Sequence, residues 1–186
     1  FFDAKADDAL NYGGIGAVIG HEILHGYDDE GSKFDAKGNL SDWWSKEDRE
    51  KFDARTAKLV QQFDDYVAID DLHVKGKLTL GENIADLGGL NVSYDAFKLA
   101  QSQSPEANAK IDGLTPDQRF FLNFAQVWRR AFRDAELKRR LNVDPHAPAQ
   151  FRAIGAPSNM PAFAQAFGCK DGDAMVRSGD KQVKIW

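Results

Sequence analysis

Gly20-His21-Glu22-Ile23-Leu24-His25-Gly26 places two histidines four positions apart, with a glutamate directly after the first. On a helix, positions i and i+4 share one face, about one turn apart. Both imidazoles can then reach a single zinc ion from one rigid support. Glu22 lies about 100° further round such a helix. That places it beside the metal rather than on it, where it can take a proton from a metal-bound water. Ile15, Val18, Ile19, Ile23 and Leu24 make the segment apolar around much of its circumference, which predicts a buried helix. Polar groups on a buried helix need partners, and a metal supplies one for the histidines. Six of the sixteen glycines fall between Gly13 and Gly31. Because glycine weakens a helix by about 1 kcal/mol, this density predicts close backbone packing against a neighbour.

On the N-terminal side, residues 3–9 are polar and lead into the first helix. Asn11-Tyr12-Gly13-Gly14-Ile15-Gly16 is a glycine-rich turn, but no strand precedes it and no Gly-Lys-Ser/Thr follows, so it does not read as a phosphate loop. On the C-terminal side, Asp28-Asp29-Glu30-Gly31 closes the helix. Asp28, three residues beyond His25, has two open readings: acceptor for the second ring nitrogen of a ligand histidine, or part of a solvated acidic loop. Asp29 and Glu30 read as the loop, and the acidic spacing does not fit a calcium loop. Asp35-Ala36-Lys37-Gly38-Asn39 reads as a tight turn.

Ser45 begins a capping pattern, and Phe52, Leu59, Val60, Phe63 and Val67 recur behind it at helical spacing. They predict a long amphipathic helix over roughly residues 45–66, with Trp43 and Trp44 as core aromatics at its start. Leu72 to Thr79 reads as an irregular loop or short hairpin. Gly81-Glu82-Asn83-Ile84-Ala85-Asp86-Leu87-Gly88-Gly89-Leu90 opens a helix running from Glu82 to Leu99. Thr79 and Glu82 fit a capping box. Glu82 and Asp86, four apart on one face, also fit one carboxylate on a metal and another behind a metal-bound histidine. Gln101 to Asp112, with Pro105, reads as a loop. Thr115-Pro116-Asp117-Gln118 starts a helix with a capping box and proline in the first turn. Phe120, Phe121, Phe124, Val127, Trp128 and Ala131 form its buried side. Arg129, Arg130, Arg133, Lys138, Arg139 and Arg140 read as a solvated, salt-bridged face. His146 sits in a stiff loop between Pro145 and Pro148, and Arg152 six residues on is a candidate carboxylate or carbonyl anchor. Pro161 to Phe167 is a short helix stopped by Gly168.

The composition, 42% hydrophobic and 28% charged over 186 residues, is that of one globular domain. A net charge of −5 argues against nucleic acid as a partner, because phosphate contacts need a basic face. Cys169 is the one cysteine, which excludes an internal disulfide framework. No stretch is apolar for long enough to span a membrane. Phe1-Phe2-Asp3 does not read as a natural start, and the expectation is a piece of a longer protein.

Taken together, His21-Glu22-Ile23-Leu24-His25, Gly81-Glu82-Asn83-Ile84-Ala85-Asp86, and His146 with Arg152 resemble the neprilysin family of zinc metallopeptidases, which includes the endothelin-converting enzymes. The likeness extends from Leu10-Asn11-Tyr12-Gly13-Gly14-Ile15-Gly16 through Asn39-Leu40 and Trp43-Trp44 to the terminal Trp186. The resemblance implies a mainly α, gluzincin-type catalytic domain over residues 1–186. Its zinc-binding helices would lie side by side, with only short β segments around residues 69–80 or in the first few residues. It implies one zinc per chain on His21, His25 and Glu82, and Glu22 as general base. Asp86 and Asp28 would orient the histidines, His146 would stabilise an oxyanion, and Arg152 would bind a substrate carbonyl. The partners it implies are oligopeptide substrates and the N-terminal part of a longer, exported bacterial protein, whose backbone-pairing edge strand is not in this sequence. The tail departs from the Cys-x-x-Trp ending of eukaryotic relatives: Val183-Lys184-Ile185-Trp186 offers Cys169 no partner. A non-catalytic zinc-binding or interaction module is the alternative expectation.

Overall fold

The computed structural model describes residues 1–104 and 108–186, so Pro105 lies outside the described residues. The chain enters a continuous helical rod: α1 (Asp8–Asn11), a π-helical stretch (Tyr12–Gly16), then α2 (Ala17–Leu24). Asp7 caps its start by accepting the Ala9 N–H at 3.0 Å. A 3-10 turn, His25–Tyr27, finishes the rod. His25 therefore sits on that closing turn rather than on α2 itself, but its N–H still reaches the His21 carbonyl and the two rings keep one face.

After the turn at Asp35–Asn39, α3 (Lys46–Asp64) runs as its periodicity predicts. The hairpin lies earlier than its expected start at Leu72. Strand β1 (Val67–Ile69) pairs antiparallel with β2 (Leu72–His73), and Val67 belongs to the strand, not to the preceding helix. Next comes α4 (Leu80–Gln103), extending two residues before Glu82 and into the segment expected to be a loop. Then come α5 (Pro116–Val127), α6 (Asp134–Val143), α7 (Ala149–Gly155) and α8 (Pro161–Phe167). The capping box of α5 is present in full. Among the described residues no helix is long and apolar enough to cross a membrane.

The centre of the molecule is α4. Ile84, Ala85, Leu87, Gly88, Gly89 and Leu90 are all buried, which suits a helix that is apolar or small on every side. Phe63, Phe97, Phe120 and Leu59 are, with Ile84 and Leu90, the large hydrophobic side chains that are fully buried. Against α4 lies α2, backbone to backbone. A Cβ on Gly20 would stand 2.5 Å from the Gly89 carbonyl oxygen, and one on Gly89 would stand 2.3 Å from the His21 nitrogen. The glycines of the two motifs are therefore the contact that brings the motifs together.

Some burial expectations are corrected. One face of α2 is open: Ile19 and Ile23 are 54% and 58% exposed. Trp43 is exposed, and only Trp44 packs inward, on Phe52 and the terminal Trp186. Ala131 falls beyond the end of α5 and is exposed. Lys138, Arg139 and Arg140 form the salt-bridged face that was expected, whereas Arg129, Arg130 and Arg133 precede α6.

Candidate metal centre

The packing of α2 on α4 brings His21 and His25 against Glu82. His21 Nε2 and His25 Nε2 are 3.0 Å apart. Glu82 Oε2 is 3.3 Å from the first and Oε1 is 3.6 Å from the second. Among the described residues, this is the group of histidine and carboxylate donors able to hold a metal ion together.

Each histidine is oriented from behind. Nδ1 of His21 donates to Asp86 Oδ1 at 2.9 Å, and Nδ1 of His25 donates to Asp28 Oδ2 at 2.7 Å. A proton on each Nδ1 leaves each Nε2 as a lone pair, and both lone pairs converge on the same point as the Glu82 carboxylate. Three donors converging in this way could hold a metal ion between them. A tetrahedral ion with bonds of about 2.0–2.2 Å sets its ligand atoms about 3.3–3.6 Å apart; the two Glu82 contacts match that spacing and the histidine pair, at 3.0 Å, is slightly closer, so this donor set is of the kind that could hold zinc.

The same groups explain the electrostatics. Burial alone would lower the His21 pKa, but hydrogen bonds to Asp86 and Glu82 outweigh it and raise the pKa to about 9. Asp86 is buried, which would push its carboxyl up, yet the Arg152 guanidinium and then His21 hold it below its ordinary range. Glu82 is likewise held low against burial, by His21, His146 and Arg152.

Arg152 is buried and turned inward. Its Nε donates to Asp86 Oδ2 at 2.7 Å and its Nη2 to Asp86 Oδ1 at 2.8 Å, a bidentate pair. Nη2 also approaches Glu82 Oε2 at 3.4 Å, and the guanidinium lies 4.0 Å over the Trp128 ring. These partners occupy Nε and Nη2, a commitment that the spacing from His146 gives no hint of. His146 projects from the loop before α7, its Nε2 3.2 Å from Glu82 Oε2. Glu22, His21, His146 and Arg152 line one cavity of about 160 Å³, walled on its apolar side by Val18, Phe124, Val127 and Trp128.

The capping-box reading of Glu82 fails. Thr79 makes no side-chain cap, its hydroxyl donating instead to the Lys75 carbonyl at 3.2 Å, and the Glu82 carboxylate faces the histidines. Of the acidic loop, Asp28 is buried and Glu30 is exposed. Asp29, read as solvated, is only partly so: burial and then the neighbouring Asp28 raise its carboxyl. Asp144 is a site residue that motif reading misses. Its Oδ1 accepts the His146 N–H at 2.9 Å and Nδ1 at 2.8 Å. The signal was local: an Asp two positions before a residue can bond that residue's own backbone, as in an Asx turn.

The helical fold and the His-His-carboxylate donor set are those of a domain that could hold a metal ion on three protein ligands. Residues 1–183 match Peptidase family M13, and the chain belongs to that family. It is 44% identical over 190 residues to Neprilysin-1 of Caenorhabditis elegans, matching all of this chain and 25% of that protein. To endothelin-converting enzyme 1 of Bos taurus it is 42% identical over 187 residues, all of this chain and 24% of that one. Among solved structures, the Mycobacterium tuberculosis zinc metalloprotease Zmp1 in complex with an inhibitor matches with a TM-score of 0.95 at 48% identity, covering all of this chain and 29% of that one. PepO from Lactobacillus rhamnosis matches at 0.87 and 34% identity, covering all of this chain and 28% of that one. The chain thus spans about a quarter of the length of the curated relatives it matches.

Proposed function

We propose that this chain carries the reaction centre of a zinc-dependent endopeptidase acting on oligopeptides. The observation that carries the reading is the convergence of His21 Nε2, His25 Nε2 and Glu82 within 3.0–3.6 Å of one another, with both Nδ1 atoms tied to carboxylates. These three residues would hold one zinc per chain. Zinc bound there would supply Lewis acidity, polarising a carbonyl and acidifying a water at neutral pH.

The remaining steps belong to the chain's own side chains. Glu22, in the cavity beside His21, accepts the proton of the attacking water. Asp86 and Asp28 keep the two imidazoles in the tautomer that presents Nε2. His146 donates a hydrogen bond to the carbonyl oxygen as it gains charge, an interaction strongest in the transition state. Arg152 neutralises Asp86 with Nε and Nη2 and offers Nη1 to a peptide carbonyl. The apolar wall of Val18, Phe124, Val127 and Trp128 accepts a side chain next to the scissile bond.

The test is Glu22→Gln in the full-length protein, which keeps the shape and removes the base. Zinc content should stay unchanged while turnover of a quenched peptide falls by about 10²–10⁴-fold. Loss of zinc in that variant would make Glu22 structural and overturn the assignment. A second reading, zinc binding without efficient turnover by these 186 residues alone, is favoured by the open face of α2 at Ile19 and Ile23. The isolated chain should then bind zinc yet turn over peptide on the order of a hundredfold more slowly than the full-length protein, for want of positioning.

A further inference from the structure

Arg140 lies on α6, four residues after Glu136 and four before Asp144. Its Nε donates to Glu136 Oε1 at 2.8 Å and its Nη1 to Asp144 Oδ2 at 2.6 Å. Its guanidinium covers the Phe132 ring at 4.5 Å. A planar fork held by a carboxylate on one edge and a ring on one face has little rotamer freedom left when it meets Asp144. Asp144 is the more buried partner, its side chain 16% exposed against 36% for Arg140. Both of its oxygens are in use: Oδ2 by Arg140, and Oδ1 by the backbone and Nδ1 of His146.

His146 needs such support. It is 47% exposed on a loop, so packing does not fix its ring. Its Nδ1 bond to Asp144 sets the direction of Nε2, which lies 3.2 Å from Glu82 Oε2, at the metal donors. Arg139 does not duplicate the contact, because its Nε and Nη2 both go to Glu136 at 2.8 and 2.9 Å.

We propose that Arg140 is a positioning residue for His146, clamping the Asp144 carboxylate in the one rotation that serves the backbone N–H and the imidazole of His146 at once. Without Arg140, Oδ2 loses its anchor, the carboxylate turns, and the ring swings with it. The proposal rests on the reading of His146 as the group that meets the reacting carbonyl.

The test uses the zinc-loaded full-length protein, labelled with ¹⁵N-histidine. The His146 Nδ1–H resonance is assigned by its absence from His146→Ala. Arg140→Ala should lose that resonance to solvent exchange and lower kcat by about ten- to a hundredfold, the scale seen when the outer partner of a metal-bound histidine is removed. KM and zinc per protein should not change. Arg140→Lys, which keeps a donor within reach of Asp144, should restore part of both signals, and Arg139→Ala should leave both as they were. In an Asp144→Asn background Arg140→Ala should add nothing, because the two act as one unit. An unchanged resonance and kcat in Arg140→Ala would overturn the proposal. So would loss of zinc, a rise in KM at constant kcat, or additive losses in the double variant. If the wild-type protein cleaves no peptide at all, the functional reading fails, while the resonance still decides the role of Arg140.

Discussion

Replacing Gly89 by alanine sets two effects of opposite sign against each other. Helix propensity favours alanine over glycine by about 1 kcal/mol, so on an isolated α4 the change would stabilise. Packing says the reverse. The new Cβ would stand 2.3 Å from the His21 nitrogen and 2.7 Å from the Gly20 carbonyl carbon, where ordinary contact begins at 3.4 Å. The opposing atoms are backbone and cannot rotate away, so the two helices must part by about 1 Å, and overpacking of this kind costs about 1–3 kcal/mol. The same shift separates the metal donors. His21 Nε2 and Glu82 Oε2 are 3.3 Å apart now. At about 4.3 Å they could not both bind one ion at about 2.0–2.2 Å with a tetrahedral angle between them. Zinc affinity should then fall by about a hundredfold, the scale of a 1 Å misplacement. Urea denaturation with a chelator present measures the first effect, and competition with a fluorescent zinc chelator measures the second. Gly26→Ala is the control, since a Cβ there meets nothing within 4 Å. It should change stability by less than about 0.5 kcal/mol. A Gly89→Ala protein as stable as the wild type, with the same zinc affinity, would refute the claim that backbone contact between α2 and α4 builds the site.

Glu82→Ala should abolish zinc binding. Thr79→Ala should keep zinc but lower stability by about 1–3 kcal/mol, because it strips the buried Asn83 Nδ2 of its acceptor. Zinc retained in Glu82→Ala would remove Glu82 from the ligand set. Arg152→Met strips the buried Asp86 carboxylate of its guanidinium, leaving it only His21 Nδ1, and should cost about 3 kcal/mol in urea denaturation. A change below 1 kcal/mol there would show that the pair is not desolvated as described. On the surface, Arg139 and then Arg140 hold the Glu136 carboxyl down from 4.5 to about 2. A lowered folded pKa gives stability that is complete above 4.5 and lost as the pH falls towards 2. Glu136→Gln should therefore be less stable than wild type at neutral pH, with the gap closing over that window. A gap that stays constant with pH would mean that the charge of Glu136 contributes nothing to stability.

The candidate ligands were legible because their spacing is local. Two histidines one turn apart, and Glu82 one turn before Asp86, need only helical geometry to be read as two half-sites. The glycines beside each motif foretold that the halves touch. The solvent side of α2 was not legible. Apolar residues at Ile19 and Ile23 say that water is unfavourable there, not which element covers them. The role of Glu82 was ambiguous for a physical reason, since the i, i+3 spacing of a cap also places a carboxylate in the first turn, and only the tertiary contact with His21 decides. Arg152 was left between a carboxylate and a carbonyl partner because sequence distance cannot tell how far a guanidinium turns towards a buried Asp86. Asp144 escaped because its bond to His146 is an Asx turn across a proline, a pattern too common in loops to mark a site without the structure.

Zinc-edge X-ray absorption on the purified, zinc-loaded chain tests the central claim most directly. Coordination by His21, His25 and Glu82 predicts a shell of two imidazole nitrogens at about 2.0–2.1 Å and oxygens at about 2.0–2.2 Å, with one zinc per chain. A sulfur neighbour at about 2.3 Å, which would place the metal on Cys169, or a shell of oxygens without imidazole, would contradict it.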